Sequence, residues 1–288
     1  MTYFGVLAQF IAPPLAILAL LAYFDRKRGR LMPPSLRTWP PLNVLFVLVI
    51  VAILYTTPWD NYLVATGVWW YDPQLVTGLV WGWVPIEEYA FFVLQTLLTG
   101  LWFIFLAVRL PKVTATNAHR QPEHFPNLPA LRIISTTFVA LLWLAAWALL
   151  FSGWPPGTYL ALEATWALLP ILLQCGLGGD ILWQHRRLIL WSLLPTTLYL
   201  CLVDALALSS GTWTIDPAQS LQFFVGRLPL EEIVFFLITN TLVVFGLTLV
   251  LARQSQTRVP AALVDWLSRW LDAPNKYRKR QARPAASS

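Results

Sequence analysis

The sequence predicts an all-α integral membrane protein of seven transmembrane helices, built as two parallel three-helix repeats joined by a linker helix. Three observations carry this prediction. Of 288 residues, 57% are apolar and only 12% charged, against about 25% charged in soluble domains. The apolar residues fall in seven blocks close to the roughly 20 residues that cross a bilayer. The chain also repeats itself at an offset of 144. This composition excludes a disordered chain and a soluble globular enzyme.

The spans are Tyr3–Tyr23, Leu42–Pro58, Pro85–Val108, Leu131–Phe151, Thr158–Gly176, Leu188–Leu208 and Leu228–Leu251. The start, MTYFGVLAQF, has no basic segment of the signal-peptide kind and reads as the first span. The basic residues then orient the bundle. Arg26, Lys27, Arg28, Arg30 and Arg37 lie in the first loop. Arg109, Lys112, Arg120 and Arg132 lie in the third, Arg186 and Arg187 in the fifth, and Arg253, Arg258, Arg269, Lys276, Arg278, Lys279, Arg280 and Arg283 in the tail. This places 19 of 20 basic residues on one side, with Arg227 the exception. The positive-inside rule makes that side cytoplasmic and puts the N-terminus outside a multi-pass cell-membrane protein.

Beyond the last span, Leu263, Trp266, Leu267, Trp270 and Leu271 share one face of a helix, with Asp265, Arg269 and Asp272 elsewhere. That pattern suits a helix lying on the inner membrane surface. The net charge of +6 points to anionic lipid headgroups as partners. Nucleic acid is not expected, because no basic folded domain exists to bind it.

In the repeat, Asp60, Gly67, Trp69 and Asp72–Pro73 match Asp204, Gly211, Trp213 and Asp216–Pro217. WGWVPIEEYAFF matches VGRLPLEEIVFF, which aligns Glu87, Glu88, Phe91 and Phe92 with Glu231, Glu232, Phe235 and Phe236. Upstream the match needs a gap, and Pro14 pairs best with Pro170. Residues 1–108 form the first three-helix unit and 152–251 the second. Residues 109–151 hold the linker span, and 252–288 the tail. Three spans would invert a directly joined copy; the linker span restores its direction. Both acidic motifs therefore reach the outer side, about a pseudo-two-fold axis along the membrane normal.

The chemistry lies in the acids. Asp60, Asp72, Glu87, Glu88, Glu163, Asp204, Asp216, Glu231 and Glu232 all fall in or near the outer half, where Arg227 is the only nearby cation. Carboxyls withdrawn from water and crowded by like charges keep their protons near neutral pH and can act as acids. The P-[IL]-E-E motif also suits a helix N-terminus, with Pro at the start and acids in the first turn. Its symmetric duplication, and the Phe-Phe that follows, favour function. Glu88 shares a helical face with Phe92, Gln95 and Thr96, and Glu232 with Phe236, Thr239 and Asn240. Glu88 and Glu232 are therefore expected to face the bundle interior. Glu87 and Glu231 are expected at its edge, hydrogen-bonded to the Asp60 and Asp204 regions.

Asp72 and Asp216, each before Pro, read as turn signals. Glu163 has no repeat mate and is either an accessory acid or an interface residue. Trp59, Trp81 and Trp154 read as interfacial belt residues, while Trp69 and Trp213 are candidates to line a cavity. Cys175 and Cys201 lie in apolar runs and read as core. His119, His124 and His185 are too scattered for a metal, and no GxGxxG or P-loop appears. No metal or cofactor is expected.

At these residues the chain resembles the membrane-integral lycopene cyclases of some bacteria, archaea and fungi. The doubled PxEExxFF motif and the three-plus-one-plus-three spans carry the resemblance, from about Tyr3 to Leu251. In two-subunit members each subunit resembles one half of this chain. The resemblance implies carotenoid biosynthesis, with the acyclic ψ-ends of lycopene or a related acyclic carotenoid closed to β-ionone rings. It makes Glu87, Glu88, Glu231 and Glu232 the catalytic acids. Asp60, Asp204, Phe91, Phe92, Phe235, Phe236, Trp69 and Trp213 then hold substrate, with other carotenoid enzymes as neighbours.

The chemistry of the residues suits this. A hydrocarbon substrate calls for a membrane enzyme, a protonated Glu is a suitable acid and a second carboxylate a suitable base. Aromatic faces stabilise a carbocation. A small-solute transporter with parallel repeats is the alternative, but it would place uncharged polar groups at the midplane. A retinal protein needs a lysine in the last span, and there is none between Lys112 and Lys276. A prenyltransferase needs aspartate-rich motifs, which are absent.

Overall fold

The computed structural model describes residues 1–110 and 128–271. Seven helices long and apolar enough to cross a membrane run through it. They are α1 (Tyr3–Lys27), α2 (Pro41–Ala65), α3 (Ile86–Arg109), α4 (Leu128–Phe151), α5 (Thr158–Gln184), α6 (Arg186–Ser209) and α7 (Leu230–Leu251). An eighth helix, α8 (Ala261–Leu271), forms where the amphipathic segment was expected. Lys112, His119, Arg120 and His124, and the tail from Asp272 on, lie outside the described residues.

The count agrees with the hydropathy reading; the ends do not. The second span was expected to stop at Pro58, yet α2 continues to Ala65 with Pro58 inside it. The fifth runs on to Gln184 through a kink at Gly178. Proline ends helices in water, whereas in a membrane neighbouring groups satisfy the carbonyl it leaves free. Three such rescues are visible. Pro14 has no N–H for the Phe10 carbonyl, one turn back beside a π-helical turn at Leu7–Ile11, and Tyr199 of α6 donates its hydroxyl there (2.5 Å). Pro170 leaves the Trp166 carbonyl, which takes the Tyr55 hydroxyl of α2 (2.8 Å). Pro195 leaves the Trp191 carbonyl, which takes the indole N–H of Trp102 (3.0 Å).

Helices α3 and α7 lie against each other at the centre. A ladder of polar side chains crosses them. Gln95 donates to Thr239 (2.8 Å), Thr99 donates to Asn240 (2.7 Å), and Asn240 donates to Thr197 of α6 (3.1 Å). Each such bond is worth about 0.6 kcal/mol in a membrane bundle, so the ladder sets register more than stability.

The loops that follow α2 and α6 carry six short strands that hydropathy did not reveal. Strands β2 (Val80–Trp81) and β3 (Val84–Pro85) form a hairpin, as do β5 (Phe224–Val225) and β6 (Leu228–Pro229). Each hairpin turns on two residues with Gly first, Gly82 at φ +70° and Gly226 at φ +68°, a position that favours glycine. Arg227, the exception to the charge rule, is the second residue of that turn. Strands β1 (Trp69–Tyr71) and β4 (Trp213–Ile215) pair with each other antiparallel, Trp70 opposite Thr214, and so join the two loops. Asp72 and Asp216 accept from the backbone N–H two residues on, at 2.8 and 3.0 Å. The Gln219 amide beside Asp216 and the Ala218 N–H hold its carboxyl below the usual range. Both are turn residues, as expected.

At the opposite end of the bundle, two buried aspartates are each held by an arginine distant in sequence, and Asp25 also by the nearby Arg30. Asp25 takes both Arg109 nitrogens (2.6 and 2.9 Å) and Arg30 (3.3 Å). Asp180 takes both Arg258 nitrogens (2.6 Å each).

Candidate active site

The N-termini of α3 and α7 follow directly from the hairpins, since Pro85 and Pro229 end a strand and start a helix. Each first turn therefore delivers two glutamates to a fixed place under the hairpin loops, and the two members of each pair diverge. Glu88 and Glu232 line one chamber, whereas Glu87 and Glu231 are absent from its lining. Both of the latter are fully buried instead. Glu87 accepts the Thr77 backbone N–H at 2.6 Å and Glu231 the Leu221 N–H at 2.6 Å. The expected partners, the Asp60 and Asp204 regions, are replaced by loop amides. A carboxylate in the first turn of a helix reaches back to the loop ahead of its hairpin more readily than across to a neighbouring helix.

The chamber collects the remaining expected residues. Asp60, Asp204, Phe91, Phe92, Phe235, Phe236, Trp69 and Trp213 all line it. Its other polar members are phenols. Tyr3 donates to Glu88 Oε2 at 2.5 Å and Tyr71 donates to the same oxygen at 3.0 Å. Tyr159 donates to Glu232 Oε1 at 2.7 Å. Burial, with Asp60 and Glu88 nearby, pushes the Tyr71 hydroxyl well above its ordinary value, so it remains a donor. Both Asp60 oxygens are buried without a hydrogen-bond partner, and no Lys, Arg or His is among the lining residues. The site thus holds four carboxyls and three phenols within aromatic and aliphatic walls. Such a site can give a proton to an apolar guest and take one back while excluding water.

Sequence reasoning missed the three tyrosines. Two had a signal. Carrying the Pro14–Pro170 spacing outward aligns Tyr3 with Tyr159, and Phe10 with Trp166. Tyr71 had none, because its mate is Ile215. Trp59 corrects another expectation. Read as an interfacial belt residue, it lines the chamber and stacks on Trp166 (4.3 Å between ring centroids) and Phe235 (6.0 Å). Its place near a span end is also the place of the site, so depth alone cannot separate the two roles. Trp81 and Trp154 are exposed, as a belt requires. Glu163 is buried with neither oxygen partnered, one turn after Tyr159, and does not line the chamber.

Comparison with known proteins bears on this arrangement. The chain is 35% identical over 265 residues to a lycopene beta-cyclase of Halobacterium salinarum, covering 88% of this chain and 98% of that one. It is 36% identical over 202 residues to a bifunctional lycopene cyclase/phytoene synthase of Podospora anserina, covering 69% of this chain and 34% of that protein. A similar fungal protein of Phycomyces blakesleeanus is 33% identical over 248 residues, with 85% and 38% covered. No solved structure gives a significant match. The family model described as lycopene cyclase matches residues 2–106 and 156–251. Those two segments contain every residue that lines the chamber, and this chain belongs to the lycopene cyclase family.

Proposed function

We propose that the chain closes the acyclic ψ-ends of lycopene to β-ionone rings, with Glu88 and Glu232 as the proton-transfer pair. The observation that carries this is their convergence. Two glutamates far apart in the chain share one aromatic chamber with no cation among its lining residues. A proton delivered to C2 of the end group leaves a cation at C1. The C5=C6 bond attacks it to form the C1–C6 bond, and loss of the C6 proton restores neutrality. One proton enters and one leaves, so no oxidant or reductant is needed.

The hydrogen bonds favour one division of roles. Glu88 receives two phenolic donors and suits the base, since donors stabilise a carboxylate. Glu232 receives one phenol and lines the chamber together with Asp204; with fewer donors to stabilise its carboxylate, it suits the acid. Phe91, Phe92, Phe235 and Phe236 present rings to the developing cation. Expressed in a lycopene-making bacterium, the chain is expected to yield bicyclic β-carotene or monocyclic γ-carotene on chromatography of the pigments. Unchanged lycopene beside verified protein in the membrane would refute the reading.

The same proposal takes 1–108 and 152–251 as two copies with 109–151 between them. Supporting it, matched residues meet each other at Gln95–Thr239 and Trp70–Thr214, as residues on a two-fold axis must. The basic asymmetry puts α8 in the cytoplasm and the hairpins outside. In a background without Cys175 and Cys201, Leu79→Cys is expected to react with a membrane-impermeant maleimide in intact cells. Asp265→Cys is expected to react only after lysis, and the reverse pattern would invert the topology.

A further inference from the structure

The chamber is lopsided, although the residues around it are largely paired. On one side it extends along α1 past Val6, Leu7 and Ile11 and along α6 past Leu200 and Val203. On the other side α5, the helix matching α1, contributes Tyr159 alone.

Matched positions explain the difference. Where α6 has Val203, α2 has Trp59. Where α1 has Phe10 and Leu7, α5 has Trp166 and Glu163. The α2–α5 seam is consequently filled by a run of rings. Tyr55 stacks on Trp166 (5.4 Å), Trp166 on Trp59 (4.3 Å) and Trp59 on Phe235 (6.0 Å). The seam is also pinned at several points. The Trp59 indole donates to the Leu162 carbonyl (3.1 Å) and the Trp166 indole to the Tyr55 carbonyl (3.4 Å). The α1–α6 seam has aliphatic walls, the single Tyr199–Phe10 bond, and a π-helical turn over Leu7–Ile11. Such turns widen a helix and recur at functional sites.

We propose that the polyene chain of the substrate lies in the α1–α6 seam, entered sideways from the bilayer, and that the Trp59–Trp166 stack closes the far side. This rests on the cyclase reading and adds where the long part of the substrate runs. A reaction confined to an end group needs a blind end. A passage open on both sides would let a C40 chain slide through and present its middle to Glu88 and Glu232. The free space in the chamber is only ≈ 50 Å³, and Val6, Leu7, Ile11, Leu200 and Val203 are buried. The seam is therefore collapsed when empty and parts to admit the guest. Neither a soluble carrier nor a water-filled entrance is required.

Val203→Trp places on the open seam the plug that its mate provides on the closed one. It is expected to cut lycopene conversion by at least about tenfold, as misplacing a substrate from its reacting groups does. Wild-type chain that leaves lycopene untouched would defeat the cyclase reading itself. Active wild type together with an active Val203→Trp would defeat only the seam.

A second experiment works within protein already folded. In the background free of Cys175 and Cys201, membranes containing Val203→Cys are treated with an apolar alkyl methanethiosulfonate. Conversion is read before, after, and again on reduction of the mixed disulfide. Modification that lowers conversion, reversed by reduction, supports the slot. Failure of the introduced thiol to react, or modification without loss, overturns it. Leu198→Cys, on the lipid face of α6 and 64% exposed, controls for the reagent and is expected to react without loss.

Discussion

Glu88→Gln and Glu232→Gln each lower lycopene conversion by at least about tenfold at matched protein levels, a floor set below the 10²–10⁴ typical of general acid–base catalysis. Glutamine fills the same space and still accepts a phenolic hydrogen bond, so Tyr3, Tyr71 and Tyr159 keep a partner. What it cannot do is carry the proton. Glu87→Gln and Glu231→Gln are the comparison that gives this meaning. Their carboxylates bind the Thr77 and Leu221 amides, a contact the Gln carbonyl can imitate. These two variants are expected to lose on the order of 1 kcal/mol of stability, the scale of one altered hydrogen bond, and to keep most of their activity per molecule. Pigment chromatography beside a quantitative blot separates the two classes. Inactive Glu87 and Glu231 variants with active Glu88 and Glu232 variants would reverse the assignment.

The second large effect concerns stability. Arg258→Met leaves Asp180 buried at 3% exposure with no cation in place of its two 2.6 Å bonds. Removing one partner of a buried pair costs about 3–5 kcal/mol; Arg258 is partly exposed, which favours the lower end. The thermal transition in detergent is expected to fall and less protein to accumulate. Asp180→Leu combined with Arg258→Met is expected to recover most of the loss, because the damage lies in the orphaned carboxylate. A double variant no better than Arg258→Met alone would mean that the arginine acts chiefly through the Leu177 carbonyl, which it also reaches at 3.0 Å.

Much of this architecture was legible because a bilayer simplifies the code. Hydropathy marks each crossing, and seven were counted correctly. The PIEE and PLEE segments announced the acids, and their downstream polar stripe identified Glu88 and Glu232 as the inward pair. Legibility ended where meaning depends on a partner distant in sequence. Nothing in the sequence ties Asp25 to Arg109 or Asp180 to Arg258, residues 84 and 78 positions apart that meet only in the fold. Tyr3 was hidden in the part of the repeat that aligns only across a gap. Pro58 misled because the rule that proline ends a helix is learned from chains in water. The hairpins escaped because their strands are two residues long, too short to show alternation.

The proline braces carry a consequence for the order in which the molecule is made. Tyr199 reaches a carbonyl 189 residues earlier, and Tyr55 reaches one 111 residues later. Each brace joins one half of the chain to the other. During synthesis α1 enters the bilayer with its Phe10 carbonyl unanswered and waits for α6 to emerge before the bond can form. The α2–α5 seam, with its stacked rings, closes only after three further helices have followed α2; the α1–α6 seam closes later, when only α7 and the tail remain. Of the two seams, the later to seal is thus the one held by a single hydroxyl, and the first half cannot reach its finished shape until most of the second has been threaded into the membrane.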